Sequence, residues 1–277
     1  MKTREVIEYL NYKFLPKYQE SYDNAGFLLG DLESEYKGAL VTVDITPNTV
    51  DEAISNDLSL IVSHHPLIFT GMKRITNADE TGRMVTKLIK NNISVYAAHT
   101  NLDNLDWGIN GILAEKLNLI NCHILRPIDT QTNNIGAGMI GHLPHPMPLM
   151  DFLTMVKEKL GLPVIRTSQL PNEEPNNSHT LLHPETSHIS IQKVAICGGS
   201  GSFLISDAKR EGADIYMTGD LKYHDFQRAE DNLILADIGH YESEQFAKEI
   251  FYRVILEKFR NFACQISEQT KSYIYYI

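Results

Sequence analysis

Two adjacent histidines, His64 and His65, stand where the apolar run 58–62 meets Pro66. The run is short, rich in branched residues and closed by Ser63 and Pro66, so it reads as a buried strand feeding a loop at its C-terminal end. Ligands in open α/β sheets bind outside such ends. Imidazole is a common ligand for zinc, iron, copper and nickel, so a pair at this place calls for carboxylates nearby. The sequence supplies them twice. His99-Thr100-Asn101-Leu102-Asp103 follows the strand-like run 93–98, and Gly239-His240-Tyr241-Glu242-Ser243-Glu244 follows the run 233–236 and opens a long helical pattern. Four residues apart on a helix, His240 and Glu244 share one face and can reach one ion or bridge two.

Each fragment is weak alone. With 11 His in 277 residues, one adjacent pair is expected by chance roughly 0.4 times, and a solvated loop is the plain alternative. Asp103 taken singly is an ordinary turn residue, and Glu244 an ordinary residue near a helix start. The bland readings do not predict that all three fragments fall at the same end of separate strand-like runs. Together His64, His65, Asp103, His240 and Glu244 exceed the needs of a three-ligand catalytic zinc site and suit two ions sharing a carboxylate. Nitrogen and oxygen donors without thiolate suit zinc, iron, manganese, cobalt or nickel.

The elements that must position these donors alternate between helix and strand, the mark of an α/β architecture. An amphipathic helix carrying Val6, Leu10 and Phe14 leads to the loop Ser21-Tyr22-Asp23-Asn24-Ala25-Gly26. A strand at 39–43 passes through Asp44 to a helix with Thr46 at its cap and Pro47 in its first turn. Helices are expected near 80–90, 109–117 and 149–160, strands at 136–143 and 193–197, and a break at Arg126-Pro127. The polar stretch 168–188 reads as a surface loop whose His179, His183 and His188 are solvated.

Two further segments invite a functional reading. Gly198-Gly199-Ser200-Gly201-Ser202 opens a helix near Phe203 and can either hold phosphate on backbone N–H groups or make a tight turn. It lacks the Lys-Ser/Thr ending of a P-loop. Thr218-Gly219-Asp220-Leu221-Lys222-Tyr223-His224-Asp225 either faces a substrate with Lys222, Tyr223 and His224 or is a helix start capped by Asp220. Lys73 and Arg74, just past the histidine loop, are either solvated or help an anionic substrate.

Composition bounds the rest. A formal net charge of −10 disfavours nucleic acid as a partner, since that binding rests on clustered positive charge. The absence of a long apolar stretch and of an apolar N-terminal segment points to a cytoplasmic protein with no membrane partner. Cys122, Cys197 and Cys264 are scattered without metal or disulfide spacing and are expected to be buried.

The motifs Ser63-His64-His65-Pro66, His99-Thr100-Asn101-Leu102-Asp103, Cys197-Gly198-Gly199-Ser200-Gly201, the 218–225 segment and Gly239-His240 with Glu244 resemble the Nif-three-like dinuclear metal centre family. Its members are widely named GTP cyclohydrolase I type 2 homologues. The resemblance covers nearly the whole chain, from the Tyr22-Asp23-Asn24-x-Gly26 loop onward, with 168–188 as a local insertion. It implies two α/β lobes with mixed sheets, the metal-bearing one formed by 1–125 and 232–277 and the second, 126–231, inserted into it. It also implies a homohexamer, a trimer of dimers. Carried over by position, His64 and Asp103 serve one ion, His65 and His240 the other, and Glu244 bridges them. Tyr241 stands where the family has a small residue.

Two functions from different classes follow. One is a metal-dependent hydrolase acting on a nucleotide or related small molecule, with Glu244, His99 and His224 as catalytic groups and two divalent ions per chain as cofactors. The other is a metal-handling or regulatory protein without turnover. The mixed donor set with room for water favours the first, because structural sites are closed by four protein ligands.

Overall fold

A computed structural model describes residues 1–128, 134–168 and 189–277. The chain divides into two compact units, Met1–Asn104 with Gln245–Lys271, and Leu105–Glu244 with Ser272–Ile277. These boundaries differ from the expected 125/126 and 231/232. Residues 120–127 form a strand of the second unit's sheet, and the segment carrying His240 and Glu244 follows another strand of that sheet.

Unit 1 is built on the strands β1 (Gly26–Leu29), β2 (Gly38–Thr42), β3 (Leu60–Ser63), β4 (Ser94–Ala97) and β11 (Ala263–Ile266), in the order β1-β4-β3-β2-β11. All pairs are parallel except β1 with β4. Its helices are α1 (Thr3–Phe14), α2 (Pro47–Ser55), α3 (Glu80–Lys90), α4 (Thr100–Asp103) and α10 (Ala247–Lys258). Side chains alternate across the strands and so sort the helices between the faces. Leu40, Ile61 and Val95 pack with Val50 and Ala53 of α2 and Met84 and Leu88 of α3. Tyr96, of opposite parity, meets Phe14 of α1 at 6.4 Å between ring centroids, and Phe14 meets Phe251 of α10 at 5.5 Å. Local chemistry starts the helices where the sequence places them: Thr46 accepts the Thr49 N–H, with Pro47 in the first turn, and Asp79 accepts the Gly82 N–H.

Unit 2 holds β5 (Ile120–Pro127), β6 (Gly136–Pro148), β7 (Arg166–Thr167), β8 (Ser190–Ser200), β9 (Ile215–Gly219) and β10 (Ile234–Asp237), in the order β5-β6-β8-β9-β10-β7. Only β8, β9 and β10 run parallel. Its helices are α5 (Ile109–Lys116), α6 (Leu149–Leu160), α7 (Ile205–Arg210), α8 (Tyr223–Phe226) and α9 (His240–Glu244). Both units are α/β with mixed sheets, as the alternation of signals requires.

Several local expectations are corrected. Arg126-Pro127 is no break: the two residues end β5, opposite Ala137 and Gly136, and β5 is an edge strand, where proline is tolerated. The Gly-rich segment stays in β8 through Ser200 and then makes a 3-10 turn at Ser202–Leu204 before α7. The long helical pattern after Gly239 is two helices, α9 and α10, interrupted at 245–246. Of the cysteines, Cys197 is buried, Cys264 half-buried and Cys122 exposed. Apart from Ser168, the polar stretch with His179, His183 and His188 lies outside the described residues. No helix among the described residues is long and apolar enough to cross a membrane.

Candidate metal centre

In unit 1 the register of three parallel strands assembles the donors. Thr42 of β2 lies opposite Ser63 of β3, and Ser63 opposite Ala97 of β4. Two residues beyond each, the chain places Asp44, His65 and His99 abreast at the C-terminal edge of the sheet. His64, fully buried, completes the group: the three imidazole centroids stand 5.0–5.4 Å apart. Ligand nitrogens of His64, His65 and His99 lie within 4.8 Å of one another.

Each ring is held from behind. Nδ1–H of His64 donates to the Ala98 carbonyl at 2.9 Å, that of His65 to Asp44 Oδ1 at 2.7 Å, and that of His99 to Asp23 Oδ1 at 2.8 Å. An oxygen acceptor at Nδ1 fixes the tautomer and leaves the Nε2 lone pair for a metal, the arrangement seen behind metal-bound histidines generally. Asp103, at the end of α4, brings Oδ1 to 3.7 Å from His64 Nε2. Because a ligand atom sits roughly 2.0–2.2 Å from an ion such as zinc, these two can share one.

Unit 2 repeats the pattern with different residues. Thr218 of β9 lies opposite Asp237 of β10, so the segments just beyond carry Asp220 beside Gly239 and His240. Nδ1–H of His240 donates to Asp220 Oδ2 at 2.7 Å, and Nε2 approaches Glu244 Oε2 at 3.0 Å, one helical turn on. Burial opposes charge on His240, but the hydrogen bonds and negative charge of Glu244 and Asp220 outweigh it and hold its pKa up at about 9. Binding an ion at Nε2 therefore displaces a proton.

The Gly-rich segment is the floor under Glu244. A Cβ on Gly199, at φ +60°, would fall 2.1 Å from Glu244 Oε1. Its N–H groups are committed inside the fold: Gly198 donates to Asn110 Oδ1, Gly199 to the Ser243 hydroxyl and Gly201 to the Thr218 hydroxyl. A phosphate cradle on those three amides is thereby ruled out, and close approach to Glu244 is the reason for glycine.

Of the five expected ligands, His64, His65 and Asp103 cluster in unit 1 and His240 pairs with Glu244 in unit 2, and nitrogen and oxygen donors of these types suit a divalent ion. His99 joins the first group. Its edge meets Phe69 at 6.1 Å, and Phe69 meets Tyr22 at 6.4 Å, so two exposed aromatic rings stand beside His99. His224 is placed differently. It lies on the exposed α8, with Gln227 at 3.1 Å from Nδ1 and its ring against Tyr223. Asp220 is not the helix cap; Lys222 occupies that position, and Asp220 turns through φ +56° to reach His240. Lys73 and Arg74 are exposed. Sequence reasoning misses the functions of Asp23, Asp44 and Asp220, the three carboxylates that orient His99, His65 and His240. Strand register is the signal that finds Asp44 and Asp220.

Asp23 gives a stability prediction. Burial works against its charge, but hydrogen bonds from His99 and from the Thr100 N–H and hydroxyl outweigh it and hold the carboxyl at about 2 against an ordinary 3.8. A depressed folded-state pKa contributes stability above pH 3.8 that is lost as pH falls through about 2. Asp23→Asn should cost roughly 2 kcal/mol at pH 7 by urea denaturation, with the gap to wild type closing between about pH 4 and pH 2. A gap independent of pH would assign the loss to packing.

The sequence model of the family described as Duf34/NIF3 (NGG1p interacting factor 3) matches residues 1–272. A GTP cyclohydrolase 1 type 2 homolog of Clostridium perfringens is 33% identical over 249 residues, covering 88% of this chain and 87% of its own. Its namesake in Campylobacter jejuni is 31% identical over 267 residues, covering 96% and 95%. Among solved structures, a hypothetical protein of Staphylococcus aureus superposes with a TM-score of 0.86 at 29% identity, over 100% of this chain and 99% of that one. A Bacillus cereus protein related to NIF3 reaches 0.86 over the same shares at 23% identity, which speaks to fold alone.

Proposed function

The chain belongs to the Duf34/NIF3 family, and from that premise we propose that it binds two divalent metal ions and is a metal-dependent hydrolase of a nucleotide or related small molecule. The observation that carries this reading is common to both units. Four histidines, His64, His65, His99 and His240, each give Nδ1–H to an oxygen of the fold, so Nε2 is the nitrogen each would offer an ion, in His240 once its proton is displaced. Core or solvated histidines have no need of one shared Nδ1 anchoring. His64 with Asp103 would hold one ion, and His65 with His240 the other, with Glu244 between them. Zinc, iron, manganese, cobalt and nickel all accept this donor set.

Bound there, a pair of ions would acidify a shared water and hold an oxygen of the substrate. The chain's own residues supply the rest. Asp44, Asp23 and Asp220 fix the rings, so no reorientation is needed as charge develops. His99, anchored by Asp23, presents Nε2 as a group that can take or give a proton. Phe69 and Tyr22 offer apolar faces on which a flat ring can rest. The names of the relatives suggest the purine ring of GTP as one substrate, and phosphoester chemistry would use the same donors. Steady-state turnover of a nucleotide panel by metal-loaded protein tests the reading. Metal binding without turnover of any member would favour metal handling instead.

The proposal extends to a cytoplasmic homohexamer. Light scattering should give six times the 31.4 kDa chain mass. A monomer at micromolar concentration would contradict it, while a dimer would leave the smaller unit of that assembly.

A further inference from the structure

We infer that unit 2 carries a second, metal-independent site: a pocket for the phosphoryl group of a small molecule, formed by Arg166, Ser200, Ser202 and Lys222. These residues line a cavity of about 530 Å³ together with Asp220, Leu221 and Asp225. The volume lies within the roughly 300–1,000 Å³ usual for small-molecule sites. Ser200 and Ser202 of the segment 198–202 and Asp220, Leu221, Lys222 and Asp225 of the segment 218–225 line it.

Its acids are committed, and its donors only in part. Asp220 accepts from His240, and Asp225 accepts the Lys222 N–H and pairs with Arg228. Arg166 is held from one side only. Its Nη2 donates to the buried Asp237 and to the Leu221 carbonyl, and its plane lies 5.5 Å from the Phe226 ring. Among the described residues its Nε and Nη1, the Lys222 ammonium and the hydroxyls of Ser200 and Ser202 have no protein partner. An arginine fork fixed at one nitrogen, one mobile ammonium and two hydroxyls make a donor set suited to a tetrahedral, multiply charged oxyanion. Backbone amides of the Gly-rich segment take no part, because Gly198, Gly199 and Gly201 donate inside the fold.

The test uses the full chain stripped of metal with EDTA, so that it stands apart from the reading of the metal centre. Inorganic phosphate and pyrophosphate are titrated by calorimetry, with malonate as a carboxylate of comparable charge. Saturable binding is expected for the phosphates, weakened about tenfold or more in Lys222→Gln at unchanged thermal midpoint and also in Ser202→Ala. Arg166→Gln should weaken it further, but it leaves the buried Asp237 without its cationic partner, so Lys222→Gln carries the decision. No saturable binding at millimolar concentration would overturn the inference. Binding unchanged in Lys222→Gln, or lost only in His65→Ala, would place the anion elsewhere and overturn it equally. Malonate binding as tightly as pyrophosphate would overturn the phosphoryl assignment.

Discussion

Glu244→Gln should slow turnover by metal-loaded protein on the order of a hundredfold or more while changing substrate binding far less. Glutamine keeps the shape of the side chain and an oxygen that His240 can still meet. It removes the negative charge from a residue whose side chain is 3% exposed and which the proposal makes the shared ligand of the two ions. As a shared ligand Glu244 would supply charge that supports the activation of water by the ions, an effect that would be felt in the reaction step more than in binding. The variant should therefore lower kcat with KM nearly constant. Equal rates for wild type and variant would assign the observed activity to another site or a contaminant, and metal handling would become the better reading.

Gly199→Ala should weaken metal binding by roughly 10–100-fold without touching a ligand. The added methyl group would lie 2.1 Å from Glu244 Oε1 and 3.1 Å from its carboxyl carbon, so the carboxylate has to move. The residue also holds φ at +60°, where a side chain costs roughly 1–2 kcal/mol. Gly212 separates these effects. It has φ +65° and open space where a Cβ would go, so Gly212→Ala should lose stability alone. Isothermal titration with zinc on both variants checks this. If the two bind metal equally well, Gly199 does not position Glu244.

The sequence reveals those parts of the site whose signal is local. His64 and His65 are adjacent, His240 and Glu244 share a helical face by spacing, and helices 80–90 and 149–160 declare themselves by periodicity and caps. What escapes is set by pairing between distant segments. That Asp44 supports His65 depends on Thr42 lying opposite Ser63, and that Asp220 supports His240 depends on Thr218 lying opposite Asp237. The Gly-rich segment misleads for the same reason. Its composition suits an anion cradle, but Asn110 and Ser243 take two of its N–H groups from far along the chain. Unit boundaries also follow strand pairing, which puts α5, β5 and α9 in unit 2, whereas the family resemblance implies a first lobe of 1–125 and 232–277.

The most direct measurement is metal content. Protein stripped with EDTA, reloaded with zinc or manganese by equilibrium dialysis and analysed by elemental mass spectrometry should hold close to two ions per chain. His65→Ala and Glu244→Ala should each hold fewer, with circular dichroism unchanged. Full metal content in both variants would remove these residues from the site and contradict the account.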